Sequence, residues 1–241
     1  MKIERQHKIT GVVFDFDGTL AELHLDFVEM KRRIGRLYAD ICNGAADAPS
    51  QPALEWIDSL TADLATRERS KALAFHRMAH ELIVDMEIEA AYRGRLFDFT
   101  RPILEQLRAA GVRTAIITRN CETAVRIVFP DLDEYCDGFL SRDHVAHVKP
   151  DPAHLLQALQ HICVAPGAAL MVGDHPIDMR TGLLAGVLTA GVFSGNASRA
   201  DLEQSGAEWV AHSCLELMRQ LQSARLIGTG LDFNQDRRQG A

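Results

Sequence analysis

Short apolar runs that stop abruptly at a polar residue recur along most of the chain, at positions 9–14, 112–117, 138–140, 168–172, 188–192 and 209–211. Such runs, rich in Val, Ile and Leu and without an exposed alternate face, read as strands buried on both sides, the pattern of a parallel sheet. Helical patterns lie between them. Pro102 opens a segment with Ile103, Leu104, Leu107 and Ala110 on one face, and Gly111 stops it. Asp151 and Pro152 introduce Leu155, Leu156 and Leu159, and a last helix begins at Ser213, whose spacing to Glu216 is a capping box ahead of Leu217, Met218 and Leu221. The alternation predicts an α/β fold with a Rossmann-like parallel-sheet core at 1–21 and 93–227.

Residues 22–92 break that alternation and keep only a helical period. Phe27, Met30, Ile34, Leu37 and Ile41 form one stripe; Leu54, Ile57, Leu60 and Leu64 a second; Ala72, Phe75, Ala79, Leu82, Met86 and Ala90 a third. Three amphipathic helices therefore make an inserted all-helical domain, with the Gly- and Pro-punctuated stretch 43–52 as a loop. The segment 228–241 reads as a loosely held tail.

Charge and composition narrow the partners. With 26 Lys and Arg against 33 Asp and Glu, the net charge is −7, and no basic arm offers the cations that phosphate backbones need, which argues against nucleic acid. The insert is the more acidic part, with eight basic and thirteen acidic side chains, and its one dense cationic cluster is Lys31, Arg32, Arg33 and Arg36. No apolar run approaches the roughly 20 residues that span a bilayer, so no membrane partner is expected. The start of the chain is charged, and Asp15 interrupts its first apolar stretch before a secretory signal could form. Five widely spaced cysteines without a C-x-x-C pair fit reduced thiols and a cytoplasmic location.

Chemistry concentrates where the apolar runs end, the place at which parallel α/β sheets bind ligands. The first run empties into Asp15-Phe16-Asp17-Gly18-Thr19-Leu20. Two carboxylates one residue apart repel unless a cation or a proton intervenes, and Gly18 permits a sharp turn that turns backbone N–H groups toward an anion. Thr118 closes the second run, followed by Arg119 and Asn120. Lys149 sits in Lys149-Pro150-Asp151-Pro152, where two prolines stiffen the backbone. Another run ends in Gly173-Asp174 with Asp178 four residues on, so that both acids face one site if a helix begins there; alternatively Asp178 caps that helix. Taken singly, each feature has a plain structural reading: a strand-ending turn with solvated acids at Asp15 and Asp17, a turn residue at Thr118, a surface lysine at Lys149 and a helix cap at Asp178.

Together and in this order, the four segments resemble the haloacid dehalogenase superfamily of aspartate-nucleophile phosphohydrolases, most closely its phosphoglycolate-phosphatase-like branch. The insert resembles that family's helical cap of the first type. The resemblance implies Asp15 as nucleophile, Asp17 as general acid and base, Thr118 and Lys149 as phosphate-binding catalytic groups, and Gly18 and Asn120 as further substrate contacts. It also implies Mg²⁺ held by Asp15, Asp17 through its carbonyl, and Asp174, with Asp178 beside them. One departure concerns substrate recognition: many relatives carry Lys where this chain has Asn120. His175 reads as solvent-facing. Arg32, Arg33 and Arg36 are the candidates for meeting a charged leaving group.

The implied activity is hydrolysis of a small phosphorylated metabolite, with a phosphosugar mutase or a pyrophosphatase of the same superfamily as alternatives. A phosphate-binding module without turnover is a further reading, against which stands the presence of every nucleophile, acid and metal-ligand position. Dehalogenation needs no acid for an alkoxide, so Asp17 argues against it. Oligomeric state is not addressed by any of these patterns.

Overall fold

The computed structural model describes residues 8–42, 49–195 and 197–228, so most of the 43–52 loop and all of the tail after 228 lie outside the described residues. The chain divides into two compact units, Met1–Leu23 with Gly94–Ala241, and His24–Arg93. In chain order the elements are β1 (Gly11–Phe14), β2 (Ala21–Glu22), α1 (Phe27–Cys42), α2 (Ala53–Ala65), α3 (Arg69–Ala91), β3 (Arg95–Leu96) and α4 (Thr100–Ala109). There follow β4 (Arg113–Ile117), α5 (Glu122–Val128), α6 (Leu132–Tyr135), β5 (Gly138–Leu140), α7 (Pro152–His161) and β6 (Ala169–Gly173). The chain continues with α8 (Pro176–Ala185), β7 (Leu188–Val192), α9 (Arg199–Gln204), β8 (Trp209–Ala211) and α10 (Cys214–Ser223).

Six strands pair in the order β5-β4-β1-β6-β7-β8, every pairing parallel. The pleat sends alternate side chains to opposite faces. Val12, Phe14, Ile116, Leu170 and Val172 join one core, which α4 covers with Ile103, Leu104 and Leu107 and α10 with Leu217, Met218 and Leu221. Val13, Ala115, Ile117 and Met171 join the other, covered by Leu155, Ala158 and Leu159 of α7. Both faces are buried, which is why the strands read as unbroken apolar runs. Phe14 and Phe16 are fully buried, each contributing on the order of 2–3 kcal/mol of apolar transfer.

The chain runs outward from β1 through β4 to β5, then returns to β6 on the other side of β1 and runs outward again. Such a reversal opens a crevice beyond the carboxyl ends of the two strands that flank it, here β1 and β6. A two-stranded antiparallel ribbon, Ala21 opposite Leu96 and Glu22 opposite Arg95, joins the stretches where the chain leaves and rejoins this unit. Two residues per strand are too few to show a period, so the ribbon has no signature in the sequence.

The second unit holds α1, α2 and α3. Met30, Ile34 and Tyr38 are buried from α1, Leu54, Trp56, Ile57 and Leu64 from α2, and Ala72, Phe75, Ala79, Ile83, Met86 and Ala90 from α3. The stripes differ from expectation in detail. Phe27 is 49% exposed at the first residue of α1, and Ile83 takes the buried place expected of Leu82: a step of three or of four after Ala79 gives the same average period, so packing against the neighbouring helices makes the choice. Tyr38 and Phe75 meet edge to face, ring centroids 5.3 Å apart. Among the described residues, no helix is long and apolar enough to cross a membrane. All five cysteines are free thiols, and burial pushes Cys136 up to about 12, which leaves it inert as a nucleophile.

Candidate active site

The turn after β1 is built around one carbonyl. Phe16 O accepts from the N–H groups of Leu20 and Ala21 at 2.9 and 3.0 Å, while Asp15 N–H remains in the sheet and donates to Val172 O at 2.8 Å. Asp15 is thus held at the strand end with its side chain leaving into the crevice region. Gly18 adopts a positive φ of 79°, and a Cβ placed on it would lie 2.3 Å from the Asp174 carboxylate. The glycine is required twice over, by its backbone conformation and by that approach. Its amide, expected to face an anion, donates instead to Ala21 O at 2.8 Å. Gly18 therefore makes room for a carboxylate, and its N–H is already spent within the turn.

Asp15, Asp174 and Asp178 each offer a carboxylate oxygen within 4.8 Å of the other two. Asp17 stands apart from that set: its Oδ1 accepts from Leu23 N–H at 2.9 Å. Lys149 Nζ, fully buried, donates to Asp15 Oδ1 and, at 2.7 Å, to Asp178 Oδ1. The other oxygen of Asp178 accepts from His175 N–H at 3.1 Å, while His175 Nδ1 accepts from Ile177 N–H, the reciprocal cap of α8. Both readings of Asp178 hold at once, since it caps the helix and binds the lysine. His175 itself is exposed.

Three carboxyls are pushed upward. Burial raises Asp15 to about 6, with Lys149 opposing and Asp178 reinforcing. Burial likewise raises Asp17 to about 7. Asp174 rises to about 9 through burial and then the negative charges of Asp15, Asp178 and Asp17. Burial alone would strip the charge from Lys149, but Asp15 and Asp178 outweigh it and hold the ammonium above the ordinary lysine value. An all-oxygen cluster that resists carrying its full negative charge fits a hard divalent cation, which would supply the missing positive charge.

A pH dependence follows for the cation-free protein. Folded Asp15, Asp17 and Asp174 keep protons that the unfolded chain releases near pH 3.8, so the stability they contribute is present below that value and is lost as pH rises through about 6, 7 and 9. In chelator the melting temperature is expected to fall as pH rises from about 4 to about 9, and an added divalent cation is expected to reverse the fall. A flat profile in chelator would contradict the charge crowding.

Thr118 directly follows β4 with its hydroxyl buried, accepting from Asn120 N–H at 3.2 Å. The Asn120 side-chain Nδ2 is buried with no acceptor among the described residues, a donor left for an oxygen not supplied by the protein. Several supporting groups carry little signal in the sequence. His154, fully buried on α7, takes Lys149 N–H on Nδ1 at 3.4 Å and meets Leu140 O through Nε2 at 3.0 Å, so its proton sits on Nε2. Burial, then the charge of Lys149, lowers it to about 4 and keeps it neutral. Arg119 donates to Lys149 O. Gly195, after β7, has no room for a side chain beside Asp174, and Ser194 Oγ donates to Gly18 O at 2.7 Å. A glycine just beyond a strand end is the only signal for that contact.

In the helical unit, Arg32 and Arg33 both donate to Glu29 of their own helix, Arg33 at 2.8 Å, and their side chains are 44% and 47% exposed. Arg36 is exposed on the same helix.

The sheet order, the Asp-bearing turn after β1 and the buried lysine between two carboxylates are an α/β core with a charged site at its strand ends. The family model for haloacid dehalogenase-like hydrolases matches residues 9–186, and the chain belongs to that family. Among curated relatives, it is 28% identical over 225 residues to the pyrophosphatase PpaX of Bacillus cereus, covering 88% of this chain and 95% of that protein. Solved structures share its fold. A hydrolase from Pseudomonas syringae superposes with a TM-score of 0.63 at 22% identity, covering 89% of this chain and 98% of that one. A predicted phosphoglycolate phosphatase from Haemophilus somnus superposes at 0.61 with 20% identity, covering 90% and 99%.

Proposed function

We propose that the protein is a Mg²⁺-dependent phosphatase that hydrolyses a small phosphomonoester, of the phosphoglycolate kind, through an aspartyl phosphate on Asp15. The observation that carries this reading is the buried Lys149 ammonium held between Asp15 and Asp178 with Asp174 alongside. It is a nucleophile placed among the charges that an incoming phosphate requires.

An oxygen of Asp15 attacks phosphorus as the bond to the leaving oxygen breaks, and Asp17 gives that oxygen its proton. Burial pushes Asp17 up to about 7, so it holds a proton more readily than an ordinary carboxyl and can serve in both directions. It then takes a proton from the water whose oxygen attacks the same phosphorus, which frees Asp15 and phosphate. Lys149, the Thr118 hydroxyl and Asn120 Nδ2 offset the negative charge brought together by Asp15 and the phosphoryl oxygens. Asp15, the Asp17 carbonyl and Asp174 would hold Mg²⁺, which when bound supplies positive charge to the phosphoryl oxygens.

Asp178 has both oxygens engaged, one by Lys149 and one by His175 N–H, so Asp174 is the stronger ligand candidate. Asp174→Asn is expected to raise the Mg²⁺ concentration for half-maximal activity on the order of 100-fold. Asp178→Asn should instead lower kcat by loosening Lys149, with a smaller effect on Mg²⁺. Equal Mg²⁺ shifts in a titration of the two variants would contradict the assignment.

The helical unit, inserted between β2 and β3 a few residues after Asp17, acts in this reading as a cap that restricts substrates to small metabolites and excludes water during transfer. Of its cationic cluster, Arg36 is the better candidate for an anionic leaving group, because Arg32 and Arg33 are met by Glu29. The free thiols support a reducing compartment, the cytoplasm. Pyrophosphate hydrolysis is the second reading, supported by the likeness to PpaX. Phosphate release from a panel of phosphomonoesters, pyrophosphate and a phosphopeptide tests all of this. The highest kcat/KM should fall on a small carboxylated phosphomonoester. Preference for pyrophosphate would favour the second reading, and equal rates on the phosphopeptide would overturn the cap's role.

A further inference from the structure

We propose that the helical unit carries a second metal site, formed by Asp58 of α2 with His76 and His80 of α3, which takes a transition-metal dication of the Zn²⁺ class and fastens the two helices together. One donor atom from each of the three residues lies within 4.8 Å of the other two. His76 and His80 are one helical turn apart, and their ring centroids are 4.4 Å apart. Residues at this spacing share a helix face and present two imidazoles to one point. Asp58 approaches from the neighbouring helix, its Oδ1 3.7 Å from His76 Nε2. That separation is too long for a hydrogen bond, and it is close to the roughly 3.4 Å that separates two ligands on a tetrahedral zinc with bonds of about 2.0–2.1 Å.

The backbone beneath these residues is held firmly. Ile57, Phe75 and Ala79, each adjacent in sequence to one of the three, are fully buried. The ligands stand at the rim of that packing, Asp58 with 69% and His76 with 45% of its side chain exposed, so an ångström of rotamer adjustment meets little resistance and an ion can reach them. The neighbouring Arg77 does not compete for Asp58, since it is paired with Glu81 at 2.9 Å.

The donor set decides the ion. Two imidazole nitrogens and one carboxylate suit Zn²⁺, Co²⁺, Ni²⁺ or Cu²⁺, whereas Mg²⁺ prefers the all-oxygen cluster of Asp15, Asp174 and Asp178. The two sites are therefore separable by metal, and three protein ligands leave a coordination position for water.

The test is a titration of the full-length protein, stripped with chelator and then saturated with Mg²⁺ so that the carboxylate cluster is occupied. Under these conditions the wild type is expected to bind one more Zn²⁺ per chain than the double variant His76→Ala/His80→Ala. Co²⁺ is expected to give a visible d–d spectrum in the wild type only. Zn²⁺ should raise the melting temperature of the wild type and leave that of the double variant unchanged, while the two hydrolyse an aryl phosphate equally without Zn²⁺. Should the double variant fold poorly, the single changes His76→Gln and His80→Gln keep polarity and size and are each expected to weaken Zn²⁺ binding on the order of tenfold or more. Equal uptake by wild type and variants, or a Co²⁺ spectrum that His80→Gln leaves intact, would overturn the site.

Discussion

Asp15→Asn should abolish turnover, with kcat reduced on the order of 10⁴-fold or more, as removal of a covalent nucleophile does. The amide keeps the shape of the side chain and loses its nucleophilic oxygen. Folding should survive, for a reason visible in the charge balance. Lys149 retains Asp178 at 2.7 Å, and the change removes one of three crowded carboxyls, of which Asp15 and Asp174 already resist ionisation. The metal-free variant is therefore expected to melt at or above the temperature of the metal-free wild type at alkaline pH. Single-turnover assays and thermal melts check both halves. Retained activity would overturn the nucleophile, and a collapse of stability would show that the Asp15–Lys149 pair contributes more than the repulsion it sits within.

The second large effect concerns Asp17. Asp17→Asn should cost alkyl phosphates on the order of 10²–10⁴-fold in kcat, because an alkoxide leaves poorly without a proton. An aryl phosphate, whose leaving group departs as a stabilised phenoxide, should lose much less. The pH profile gives an independent check. The acid form of Asp17 is depleted above about 7, so cleavage of an alkyl ester should decline on that side in the wild type, and the decline should be absent from the residual activity of the variant. Equal losses on both ester types would mean that the side chain acts structurally, through its bond to Leu23 N–H, and donates no proton.

Much of this organisation is local and therefore legible in the amino-acid sequence. The apolar run before Asp15, the run before Asp174 and the capping signals at Asp151 and Ser213 each depend on neighbours within one strand or one helical turn, and the corresponding elements form where those signals stand. The four polar segments, three of them directly after strands and the Lys149 segment at the start of α7, are legible for the same reason, and so is the family they resemble. The helix faces of the insert are legible to within a residue: Ile83 is buried where the period points to Leu82, a choice between steps of three and four that only the neighbouring helices make.

By itself, then, the sequence determined a parallel α/β core with an inserted helical unit, and it determined that Asp15, Thr118 and Asp174 follow strands, because period and punctuation are short-range properties of the chain; Lys149 lies instead between β5 and α7, in the turn before the helix that Asp151 caps. Only the tertiary structure decided what those groups meet. The Lys149 ammonium reaches Asp15 across 134 positions of sequence and Asp178 across 29. The Gly18 amide turned inward to Ala21, and Asp17 turned its carboxyl to Leu23. His154 came to hold the lysine backbone, Gly195 came to abut Asp174, and Asp58 came beside two histidines of another helix. Contacts of this kind follow from the order in which strands assemble and helices pack, where burial removes water and leaves each polar group to the partner that the fold brings within reach.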